Sequence, residues 1–103
     1  MVTDGDSTDW GESEEMIYKL RLFVTGASPA SVRAINNLQN ILEQHLKDRY
    51  ELEIIDAYQQ PLLVKSEDVT AVPVLIKKEP TPLRKLVGDM SDTDKVLRGL
   101  GLL

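Results

Sequence analysis

The sequence predicts a single α/β domain built on a strand, a helix and a second strand, with a hairpin and a last helix after them. Three observations carry that reading. Residues 18–25 and 50–57 have the alternating or clustered apolar pattern of strands, and between them apolar residues return at three- and four-residue steps. A strand, a helix and a strand in that order imply a parallel pair joined by a right-handed crossover. The composition agrees: 42% of the residues are hydrophobic but only 5% are aromatic, so the core must be aliphatic, and 103 residues leave room for one core.

Each element has its own justification. In the first strand Tyr18, Leu20, Leu22 and Val24 share one face, and Lys19, Arg21, Phe23 and Thr25 the other. The TGASP turn follows, where Ser28 suits an N-cap and Pro29 the first helical position. Val32, Ile35, Leu38, Leu42 and Leu46 then form a stripe to about residue 47. The run YELEIIDA thickens at Ile54 and Ile55, as expected of a strand buried on both faces. QQPLLVKSED is undecided, because Pro61 offers a helix start while Leu62, Leu63 and Val64 also suit a strand. TAVPVLIKK reads as a strand, KEPTP as a turn and LRKLVG as the hairpin partner. Gly88 and Asp89 end that strand, and Ser91 with Asp92 and Asp94 places a cap and negative charge at the first turn of the last helix. Gly99 and Gly101 weaken that helix and mark a fraying or rearranging end.

The net charge of −5 is unevenly spread. Residues 1–15 hold six acids and no base, and read as a disordered acidic tail carrying Trp10, ahead of a domain over residues 16–103. The domain is nearly neutral, so there is no basic footprint for nucleic acid. The chain has no cysteine, which removes disulfides, thiolate metal sites and thiol nucleophiles together. With no secretory signal and no long apolar run, the expectation is a cytoplasmic protein that does not enter a membrane. His45 is the lone histidine, and Asp56 and Asp89 have no histidine or second acid spaced to orient a nucleophile. No cofactor, metal or catalytic residue is predicted.

The order βαβαββα, with a Val-Pro pair at the start of the third strand, is that of the thioredoxin-like fold. A cis bond before Pro73 explains a proline at that position; an edge-strand trans proline is the alternative. Where thioredoxins carry a Cys-x-x-Cys pair, this chain has Gly26-Ala27-Ser28-Pro29-Ala30-Ser31, whose hydroxyls give no disulfide exchange.

Across residues 18–103 the chain resembles the KaiB family of circadian clock proteins. The resemblance runs through LRLFVTGASPASVRAINNLQNILE, YELEIIDAYQQPLL, TAVPVLIKKEPTPLRKLVGD and SDTDKVLRGLGLL. It implies a protein that acts by binding a KaiC-like ring ATPase, alongside other clock or signalling regulators. It also implies two arrangements: a thioredoxin-like monomer, and a repacked βαββααβ form that assembles as a dimer or tetramer. Gly88, Asp89, Gly99 and Gly101 mark the region that such a switch would use. Under the same resemblance Arg33, Asn36 and Asn40 on the first helix contact the partner. So do Lys77, Lys78, Arg84 and Lys85, a basic cluster flanking the PTP turn. A solvated helix face and a charged edge that guards the hairpin are the plain structural readings of the same residues. Two other functions remain open. One is a cysteine-free glutaredoxin- or glutathione-transferase-like domain with Val72, Pro73, Ser91 and Asp92 lining a ligand groove. The other is a sensor-kinase input domain of the SasA type.

Overall fold

The computed structural model describes residues 16–103. The expectations for Trp10 and the acidic tail lie outside the described residues. Seven elements form in the anticipated order: β1 (Tyr18–Val24), α1 (Pro29–His45), β2 (Tyr50–Asp56), α2 (Pro61–Ser66), β3 (Val74–Glu79), β4 (Arg84–Val87) and α3 (Thr93–Leu100). They make one four-stranded sheet in the order β2-β1-β3-β4. β1 pairs parallel with β2, from Tyr18 opposite Tyr50 to Val24 opposite Asp56. It pairs antiparallel with β3, and β3 with β4. The crossover through α1 is what allows the first two strands to run the same way.

Alternation along β1 builds two cores. Tyr18, Leu20, Leu22 and Val24 meet Ala34, Leu38, Ile41 and Leu42 of α1, and Val96, Leu97 and Leu100 of α3. Phe23 on the other face joins Ile55, Val74 and Ile76, covered by Leu63 and Val64 of α2. The undecided segment is therefore a short helix. Pro61 stands at its start, and it is apolar because its inner residues roof the smaller core while Leu62 points out, 81% exposed.

Three details differ from expectation. β2 is an edge strand, not one buried on both faces: of its residues only Ile55 is buried, and Ile54 is exposed. Its apolar pair reflected one inward side chain beside one left on an open edge. The α1 stripe runs through Ala34, Leu38, Ile41, Leu42 and Leu46, with Val32 on the outside, because Ser31 turns inward in its place. The cap of α3 is Asp92, whose carboxylate accepts from the Lys95 amide at 3.1 Å; Ser91 stands one residue too early.

Both glycines at the end of the chain have a structural reason. A Cβ at Gly99 would lie 2.5 Å from a Leu86 methyl, so glycine lets α3 sit close against β4. Gly101 is the left-handed C-cap, at φ 81°.

Candidate partner-binding surface

The turn between β1 and α1 stands where thioredoxins keep their thiols. Here the Ser28 hydroxyl donates to the Ser31 hydroxyl at 2.8 Å, and Ser31 Oγ accepts from the Thr25 amide at 2.9 Å. Ser28 Oγ also accepts from the Ser31 amide, as an N-cap should. Ser31 is fully buried. An adjacent general base is one of the ways a hydroxyl is activated as a nucleophile. The lone histidine, His45, lies at the other end of α1, roughly 21 Å away along the helix axis. The three hydroxyls fix the turn and satisfy one another.

From that turn α1 presents Arg33, Asn36 and Asn40, all exposed and spaced three and four residues apart, so they share one stripe. The stripe is tied to the loop after β4. Arg33 Nε donates to Asp89 Oδ2 at 3.0 Å, and Asn37 Nδ2 donates to the Asp89 carbonyl at 3.0 Å. Asp89 Oδ1 accepts from the Ser91 amide at 3.1 Å. Hydrogen bonding from Ser91, then from Arg33, holds the Asp89 carboxyl below its ordinary range. Gly88 beside it donates its amide to the carbonyl of Pro73 at 3.0 Å, with φ at 132°. Pro73 is buried and follows a cis peptide bond, as do Pro80 and Pro82. Thus Arg33, Pro73, Gly88 and Asp89 are brought to one end of the sheet, and Asn36 and Asn40 continue the surface along α1.

The four basic residues near the PTP turn do not form one cluster. Lys77 and Arg84 are register partners on the face covered by α1 and α3, whereas Lys78 and Lys85 belong to the face covered by α2. Period-two alternation separates them. Lys77 is not a surface residue at all, being 5% exposed. Burial, then the nearby Arg84, lowers its ammonium pKa. Lys78 and Lys85 are engaged internally by Glu67, a residue that the sequence reading passed over. Glu67 Oε2 accepts from Lys78 Nζ and from Arg21 Nη1, both at 2.7 Å, while Lys85 Nζ donates to the Glu67 carbonyl at 2.7 Å. Arg21 Nε also reaches Glu53 at 2.9 Å. The Lys78 hydrogen bond lowers the Glu67 pKa against the opposing effect of burial. The only sequence signal for this centre was an acid in an undecided apolar stretch.

The residues named for the ligand-groove alternative line two depressions. Val72 lines a depression of about 350 Å³ with Thr25, Ala57, Tyr58, Val64 and Val69, while Ser91 and Asp92 line a separate one of about 90 Å³ beside Lys95. Pro73 is buried, and the Asp92 carboxylate is already used by the α3 cap. Among the described residues no group of three or more His, Cys, Asp or Glu side chains is placed to hold a metal. Asp56 ends β2, its carboxylate accepting from the Tyr58 amide, as a strand-end residue should. No described helix is long and apolar enough to cross a membrane.

Comparison with known proteins agrees with this picture. The KaiB domain family model matches residues 21–102. The circadian clock oscillator protein KaiB of Picosynechococcus is 49% identical over 86 residues, covering 84% of this chain and 83% of that protein. KaiB1 of Synechocystis is 48% identical over 86 residues, covering 84% and 82%. Among solved structures, the N-terminal domain of Synechococcus elongatus SasA is 26% identical and superposes with a TM-score of 0.69 over 85% of this chain and 87% of that one. Mitochondrial thioredoxin 3 of Saccharomyces cerevisiae, 15% identical, reaches 0.69 over 90% and 85%, which shows the shared thioredoxin-like fold. A thioredoxin-like sheet with hydroxyls in place of thiols, matched by relatives nearly half identical over most of its length, makes this chain a member of the KaiB family of circadian clock proteins.

Proposed function

We propose that this chain is a non-catalytic clock-type regulator in the cytoplasm that binds a KaiC-type ring ATPase and modulates its phosphorylation and ATPase cycle. The observation that carries the proposal is 48–49% identity to circadian clock oscillator proteins across 84% of the chain. The geometry supports binding over turnover: the thiol positions hold mutually bonded serines, and the exposed polar groups lie on a rigid helix face instead of converging in a cleft. The surface assigned to the partner is the α1 stripe of Arg33, Asn36 and Asn40, continued by the Asp89 loop. Arg84, Lys78 and Lys85 contribute from the hairpin, and Lys77 supports them from within. Immobilised KaiC-type ATPase tests this. Arg33→Glu should weaken binding of the chain by at least about tenfold, the scale of a disrupted interfacial charge. Undiminished affinity in Arg33→Glu and Asn40→Ala together removes α1 from the interface.

A second reading, a SasA-type input domain that docks on the same ATPase and stays thioredoxin-like, is favoured by the 26% identity to the SasA domain. Mass measurement separates the two. A monomer at every concentration supports the input-domain reading, and a slowly exchanging dimer or tetramer supports the KaiB-type one.

A further inference from the structure

Lys77 is the most unusual charge in the described fold. It lies on β3 opposite Leu20 of β1 on one side and Arg84 of β4 on the other, and it is 5% exposed. Its face of the sheet is apolar, because Leu20, Leu22 and Leu75 meet Leu97 and Leu100 of α3 there. Two cations directly opposite on neighbouring strands repel, and a buried ammonium is costly without a counter-charge. Among the described residues neither Lys77 nor Arg84 has an ion-pair partner. Glu79, two residues along β3, is the register partner of Lys19 and faces the other way, owing to the register irregularity between Lys19 and Leu20. Glu67, on that other face, is bonded to Lys78 and Arg21.

Burial, then the neighbouring Arg84, favours the neutral amine of Lys77 over its ammonium. A desolvated lysine beside a second cation is an activated nucleophile at Nζ. The setting restricts its electrophile. With so little of the residue open to solvent, only a small uncharged molecule reaches the nitrogen. An aldehyde would leave an imine there, with Arg84 still unpaired. Carbon dioxide would leave a carbamate, an anion at the strand position opposite Arg84.

We propose that Lys77 is a carbon dioxide-binding site that forms a carbamate held by Arg84. The Nζ lone pair forms a bond to the carbon of carbon dioxide, one C=O π pair moves onto oxygen, and Nζ gives up one proton to water. No oxidant or reductant takes part. The product replaces two opposed cations with an ion pair across β3 and β4. This modification is not turnover, since it consumes one molecule per chain and reverses when carbon dioxide is removed. It needs no partner protein, so it stands or fails separately from the ATPase reading.

Esterification traps the product. The full chain, equilibrated with isotope-labelled carbon dioxide and treated with a trialkyloxonium reagent, should carry the labelled ester chiefly at Lys77 after digestion and mass analysis. Exposed Lys19, Lys47 and Lys95 serve as internal references. In Arg84→Gln the ester at Lys77 should fall roughly fivefold, the upper end for a solvent-exposed charge pair. At matched pH and ionic strength, carbon dioxide should also raise the denaturation midpoint of the parent and leave that of Lys77→Met unchanged, because only the folded chain binds it. No ester at Lys77, an ester spread evenly over the exposed lysines, unchanged trapping in Arg84→Gln, or equal midpoints shifts in parent and Lys77→Met overturns the proposal.

Discussion

Glu67 draws in Arg21 from β1 and Lys78 from β3 through its carboxylate and Lys85 from β4 through its carbonyl, so one residue joins the short helix region to three strands. Its side chain is 12% exposed, against 26% for Arg21 and 36% for Lys78. Solvent at the lysine moderates the pair, but loss of the carboxylate leaves two cations without it. Glu67→Gln should cost about 1.5–3 kcal/mol in chemical denaturation, the range for hydrogen bonds to charged groups. The pH dependence follows from the lowered folded-state pKa. Such a carboxylate contributes stability that is present above its unfolded value, near 4.5, and is lost as pH falls through the lower folded value. The stability of the parent should therefore fall on acidification more steeply than that of Glu67→Gln; identical acid limbs refute this role. Gly99→Ala sets two effects against each other. Alanine gains about 0.5–1 kcal/mol in a helix interior, while the new Cβ meets Leu86 at 2.5 Å, an overpacking of about 1–3 kcal/mol. Net destabilisation is expected, relieved when Leu86 is shortened to alanine. Such a contact was not legible in the sequence, which showed two glycines in one turn but not the strand behind them.

At the level of elements, the sequence was most informative where one face of an element is wet. β1 alternates cleanly because it has two different cores, and Ser28-Pro29 announces α1 by its chemistry alone. β2 misled because Ile54 and Ile55 are adjacent, and the letters do not say which strand lies at an edge. α2 was undecidable because six residues hold less than two turns, too few for a helical period to appear. In α1 the inner stripe was displaced by one small polar residue, Ser31, which is buried through its bonds to Thr25 and Ser28. Leu42→Ala should accordingly cost about 2–5 kcal/mol, whereas Val32→Ala, on the wet side, should stay within about 0.5 kcal/mol. Comparable losses from both would restore the stripe first read from the sequence. The candidate surface was legible only in part. Arg33, Asn36 and Asn40 follow from helical spacing, but the division of Lys77 and Arg84 from Lys78 and Lys85 needed the hairpin register, and Glu67 needed the packing of a segment whose helix and strand signals competed.

For the whole molecule, the sheet serves as a rigid frame that holds α1 and the Asp89 loop in one surface, joined by Arg33 and Asn37. The same loop, with Gly88 bonded to Pro73, links the two halves of the chain. A repacking of the second half would have to break those bonds together with the Glu67 centre. Glu67→Gln should therefore raise the population of any dimer or tetramer seen on sizing; an unchanged distribution would show that the centre does not restrain assembly. The central claim is that the fold offers a binding face to a nucleotide-driven ring and performs no chemistry itself. Size-exclusion chromatography of the chain with a KaiC-type ATPase, loaded in turn with ATP and with ADP, tests it most directly. Co-elution that differs between the two nucleotides is the predicted result, and separate elution of the two proteins under both conditions at micromolar concentration would contradict it.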